Sequence, residues 1–133
     1  MVKLKLVLGD PSGKTKQIEI EEANSKSFMG LKIGDTVKGE VVDMAGYEFL
    51  ITGGSDNAGF PMRRDVVSAN RKKLLLVGGI GVRTNEPGRR IRKTVAGGII
   101  GANTAQVNLK ITKSGKKPLF DEAAAAPAAE KKE

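Results

Sequence analysis

Apolar residues fall at every second position in several short segments, separated by clusters of glycine, proline and small polar residues. Residues 2–8, VKLKLVL, set Val2, Leu4, Leu6 and Leu8 against Lys3 and Lys5, the period of a strand with one buried face. GDPSGKT at 9–15 reads as a turn, and KQIEI at 16–20 resumes the alternation, which predicts a first hairpin. Val37–Asp43 and Tyr47–Thr52 predict a second hairpin around Met44-Ala45-Gly46. Leu74–Val77 and Lys93–Val95 are expected as short strands. Ala105–Thr112 is expected to turn Val107, Leu109 and Ile111 inward against Asn108 and Lys110. Residues 53–59 read as a glycine-rich loop. Phe28, Leu31 and Ile33 are packing candidates, and a short helix is expected at Arg64–Ala69 or within 22–31.

Short strands every ten or so residues, punctuated by glycine turns, argue for an all-β barrel or sandwich. The expected fold is mainly β: a small barrel-like domain of short antiparallel strands with one or two short helices over residues 1–118. The sequence from Asp121, DEAAAAPAAEKKE, offers no bulky apolar group to bury and carries a proline at 127. Residues 119–133 are therefore expected to form a flexible tail rich in alanine and charge.

Composition narrows the chemistry. The chain of 133 residues fits one domain, and with 4% aromatics and no Trp its core must rest on Val, Ile and Leu. Cys and His are both absent, which removes disulfides, zinc fingers and His- or Cys-based nucleophiles; no metal and no cofactor is expected. MVKLKLVLGD lacks the continuous apolar run of a signal peptide, and no window approaches a membrane span. The turn GDPSGKT comes close to a phosphate-binding P-loop. However, it places three residues between Gly9 and Gly13 where four are needed, and Pro11 removes a backbone donor.

Charge changes the picture most. The chain has a formal net charge of +8, and the window Phe60–Val95 carries all of it: ten basic residues against Asp65 and Glu86. The ten are Arg63, Arg64, Arg71, Lys72, Lys73, Arg83, Arg89, Arg90, Arg92 and Lys93. Elsewhere acids and bases cancel. A solvated face explains scattered cations, but clustered ones repel each other, and a polyanion relieves that repulsion. Seven of the ten are Arg, which suits bidentate phosphate contact. The window holds one aromatic, Phe60, too few for a stacking platform along a single strand, so backbone recognition of folded, largely double-stranded RNA fits better. No amphipathic helix with a Trp/Phe/Leu face is present, which disfavours a membrane.

Ahead of the first two arginines runs Ile51-Thr52-Gly53-Gly54-Ser55-Asp56-Asn57-Ala58-Gly59-Phe60-Pro61-Met62. Its glycines lack P-loop spacing; they are read as permitting unusual backbone angles, with Asp56 closing the turn and Phe60-Pro61-Met62 anchoring it. The stretch resembles the signature of small-subunit ribosomal protein six of the archaeal and eukaryotic type, whose fixed positions Gly53, Gly54, Asp56, Gly59, Pro61 and Met62 all match. RRIRKTVAGG from Arg89 and AQVNLKITKSGKK from Ala105 are similar to later segments of that family in the same order.

The resemblance implies a structural, non-catalytic constituent of the small ribosomal subunit in the cytoplasm. It further implies a monomer among neighbouring ribosomal proteins that binds small-subunit ribosomal RNA through residues 63–93, with no small-molecule substrate. Ala96 stands where the family usually has Arg, which puts one RNA contact in doubt. The long basic C-terminal helix of eukaryotic members has no counterpart in this sequence, so the resemblance is to the archaeal short form. A nucleic-acid-binding barrel outside the ribosome, in RNA processing or DNA compaction, is the alternative. Acid–base chemistry at Ser55-Asp56 is a third reading, set against a turn-closing carboxylate.

Overall fold

The computed structural model describes residues 3–83, 86–117 and 119. Five strands build the main sheet in the order β2 (Thr15–Ile20), β1 (Leu4–Gly9), β7 (Thr104–Lys113), β4 (Glu48–Asp56), β3 (Thr36–Lys38). The remaining strands, β5 (Lys72–Leu76) and β6 (Ile91–Val95), form a separate antiparallel ribbon. Alternation decides the faces: Leu4, Leu6 and Leu8 of β1 and Val107, Leu109 and Ile111 of β7 all point into the core, as their spacing requires. Phe28, Phe49, Ile51, Met62 and Ile100 fill the space beneath them, and Leu119 packs into the same core. Helix α1 (Glu22–Ser25) continues into one tight 3-10 turn, Lys26–Phe28. No side-chain cap holds α1; burial of Phe28 fixes the segment.

Three expectations are corrected. The sheets do not close into a barrel: β2 and β3 remain the two edges of an open sheet, and the ribbon stands apart from both. Five strands, one of them three residues long, leave the ends unpaired. The strands are not all antiparallel, because β1 runs parallel to β7; the ninety-odd residues between them give ample chain for that crossover. The strand expected over Val37–Asp43 stops at Lys38. Gly39–Val42 coils into a 3-10 turn where a side chain at Gly39 would sit 2.2 Å from the Met44 carbonyl oxygen. Of the two places expected for a short helix, the 22–31 region carries it as α1, and Arg64–Ala69 is irregular. The carbonyls of Val66 and Ser68 accept from the N–H groups of Gly98 and Ile99 and so are diverted from a helical ladder. The tail expected over 119–133 lies outside the described residues apart from Leu119.

Candidate nucleic-acid interface

The interface is built on the segment after β4. Gly53–Asp56, expected in a loop, belong to β4 and pair with β7 across a bulge at Thr52. The turn itself is short: Gly59 adopts a positive φ of 88° and donates to the Asp56 carbonyl, and Asp56 N–H donates to the Phe60 carbonyl. Gly54 serves close approach instead, since a Cβ there would meet the Gln106 carbonyl oxygen at 2.3 Å and the Met62 sulfur at 2.9 Å. Gly53 needs neither freedom; its φ is ordinary and its surroundings are open.

Pro61-Met62-Arg63 then forms a strap between the two sheets. Met62 N–H donates to the Gly54 carbonyl of β4 at 3.0 Å. Ala96 N–H donates to the Pro61 carbonyl at 2.9 Å, and Arg63 N–H to the Ala96 carbonyl at 3.2 Å, which ties the strap to the end of β6. Met62 is 2% exposed and pins the strap in the main core. Ala96 is buried beside it, so this position packs against the strap and presents no side chain to solvent. A smaller apolar cluster of Val66, Leu76 and Val95 supports the ribbon from beneath.

The ten cations divide by what they touch. Arg71 donates through Nε to the Asp56 carboxylate, through its terminal amine to Asn57 Oδ1 at 2.8 Å, and lies 5.1 Å from the Phe60 ring centroid. Arg63 pairs with Asp65 at 2.9 Å and donates to the carbonyl of Ile80 at 2.8 Å, holding the turn after β5. Both arginines work inside the fold, a role the charge pattern alone did not distinguish. Arg64 leans over Gly34 in a separate shallow depression that Lys32 and Asp35 also line.

Lys73, Arg83, Arg89, Arg92 and Lys93 converge on one groove along β6. Its floor is apolar: Phe60, Pro61, Val82 and Ile91. Lys72 and Arg90 are exposed nearby in sequence. Among the described residues, Arg89 meets Glu86 at 3.2 Å, and no ion pair engages the other four groove cations. Val82 and Ile91 were not among the expected site residues. Their signal was a lone apolar residue next to or inside a run of cations, GVR and RRIRK.

Asp56 has no catalytic surroundings. Its side chain is buried and committed to Arg71, whose hydrogen bond draws the carboxyl below its ordinary value of 3.8, with further help from the N–H groups of Asn57 and Ala58. Burial acts in the opposite direction and is outweighed. A folded-state pKa below the unfolded one means that the unfolded chain binds more protons through this window. The stabilisation is therefore complete above the ordinary Asp range and disappears as pH falls through the depressed value. Asp56→Asn should lower neutral-pH stability by about 2 kcal/mol, the scale of a hydrogen bond to a charged group. The gap in Tm from the parent should close as pH drops below 3.8; thermal melts of both proteins from pH 7 to pH 2 test this, and a constant gap would contradict it.

A profile of the family described as Ribosomal protein S6e matches residues 4–123. The small ribosomal subunit protein eS6 of Archaeoglobus fulgidus is 42% identical over 120 residues, covering 89% of this chain and 93% of the relative. Its counterpart from Methanocella arvoryzae is 42% identical over 134 residues, covering 100% of this chain and 92% of the relative. The protein of the same name from Halobacterium salinarum is 40% identical, over 91% of this chain and 93% of its own length. With its signature stretch forming the strap that holds the ribbon to the sheet, and with matches along nearly its whole length, the chain belongs to the ribosomal protein S6e family.

Proposed function

We infer that the protein is a non-enzymatic structural constituent of the small ribosomal subunit, acting in the cytoplasm, and that it binds folded ribosomal RNA through the ribbon and the turn that follows β5. The observation carrying this reading is the convergence of five cations on one groove, in a chain whose entire net charge falls within residues 60–95. Relatives bearing a small-subunit name supply the ribosome, and the charge supplies the nucleic acid. The proposed contact residues are Arg64, Lys72, Lys73, Arg83, Arg89, Arg90, Arg92 and Lys93, with Arg63 and Arg71 holding the surface in place. Neutralising phosphates of adjacent RNA helices would fix their relative placement.

Neighbouring ribosomal proteins complete the proposed surroundings. Tagged protein expressed in an archaeal host should co-sediment with small subunits after a high-salt wash. Recovery with bulk nucleic acid or in free fractions would overturn the ribosomal assignment and favour an extraribosomal binder.

A further inference from the structure

The cations of the groove account for attraction to RNA, but its floor requires a separate explanation. An A-form helix approaching the ribbon presents phosphates on a convex rim. Val82 packs in part against the cluster of Val66, Leu76 and Val95, but the half-exposed surface that Pro61, Val82 and Ile91 present to the groove would face water beneath such a helix. Cations beside an open strand edge also discourage edge-to-edge pairing, which again gives no role to an apolar floor. A flat, apolar-faced group carrying negative charge at its margin satisfies both parts of the groove at once.

The groove's construction supports such an occupant. Ile91, Arg92, Lys93 and Thr94 of β6 line it in succession, and Lys73, which pairs with Thr94 across the ribbon, reaches it from β5. Its opposite wall is the turn at Gly81–Arg83, which sits close over the floor: a Cβ at Gly81 would fall 3.6 Å from Pro61 and 3.1 Å from Val95. Arg63 holds that turn through the Ile80 carbonyl, and Arg71 holds Phe60, so the floor and one wall are preorganised by two arginines that do not themselves line the groove. Thr94 adds a hydroxyl.

We propose that this groove receives a single unpaired nucleotide extruded from the RNA, its base lying on Pro61, Val82 and Ile91 and its flanking phosphates held by Arg89, Arg92 and Lys73. The proposal rests on the RNA-binding reading and adds to it a preference for a bulged helix over a continuous one. The two ideas fail in different ways, and one titration separates them.

The probes are three RNA hairpins of one sequence: a continuous duplex, the same duplex with one bulged 2-aminopurine, and the same with an abasic bulge. Binding of the 133-residue chain is measured at fixed salt. The bulged RNA should bind about tenfold more tightly than the other two, the scale of burying part of a base face on apolar side chains, with a change in 2-aminopurine emission. The bulged and abasic RNAs differ only in the base offered to the groove, so their comparison needs no variant. Equal affinity for all three RNAs with the parent protein would overturn the nucleotide site and leave the phosphate-binding reading standing. Failure of the folded protein to bind any of them at low salt would overturn both.

Discussion

Replacing Arg89, Arg90, Arg92 and Lys93 together by alanine should weaken RNA binding by roughly two to three orders of magnitude near physiological salt. The reasoning is counterion release. Each phosphate neutralised contributes about 0.7 to 0.9 to the slope of log affinity against log salt. Among the described residues, eight of the ten basic residues are free of the fold's own ion pairs apart from the exposed contact of Arg89 with Glu86. A parent slope near −6 to −7 is therefore expected, falling to about −3 in the fourfold variant. Two controls sharpen the outcome. Four substitutions among Lys3, Lys5, Lys14, Lys16, Lys113 and Lys116, far along the chain from the window, should change the slope much less. Arg71→Ala should lower Tm and leave the slope of the folded protein where it was, because its guanidinium is spent on Asp56, Asn57 and Phe60. A parent slope near zero, with the protein folded, would remove the electrostatic mechanism altogether.

The contrast between Arg71 and Arg92 shows where sequence reading reaches its limit. Composition located the charge within a quarter of the chain, and the structure places five of those cations around one groove. Yet Arg71 and Arg92 are the same residue type in the same basic window. What separates them is Asp56, fifteen positions upstream of Arg71 and brought to it by the strap. No local pattern encodes that distance, so partner assignment within a cationic window needs coordinates.

The fold divides similarly. Strands with clean alternation, β1 and β7, are readable because each buries one face against a single core. Their parallel pairing is not readable, since period-two patterning is the same for either direction. The barrel expectation failed for a related reason. Strand count and turn spacing report how many strands exist, whereas closure depends on whether the edge strands β2 and β3 meet. At Gly39 and Gly53–Gly54, glycine was a reliable mark of something unusual but an ambiguous one: a tight turn in the first case, a close strand contact in the second.

Adjacent glycines of the signature should respond oppositely to alanine. Gly54 faces β7 and the strap, and an added Cβ would lie 2.3 Å from a backbone carbonyl oxygen, far inside contact distance. The Met62 sulfur, at 2.9 Å, can move aside; the Gln106 carbonyl cannot without breaking the β4–β7 register, which already shifts on either side of this pair. Gly54→Ala should therefore cost about 3 kcal/mol, the upper part of the overpacking range, and lower Tm by about 10 °C. Gly53→Ala adds the same methyl group to open space on an ordinary φ, so its effect should lie within about 0.5 kcal/mol, with a small gain expected from the restricted unfolded chain. Melts of the two variants under one buffer condition check both values. Equal behaviour would mean that Gly54 is not the point at which the strap is seated on the sheet; the expected split would locate the mount of the cationic ribbon at a single backbone contact.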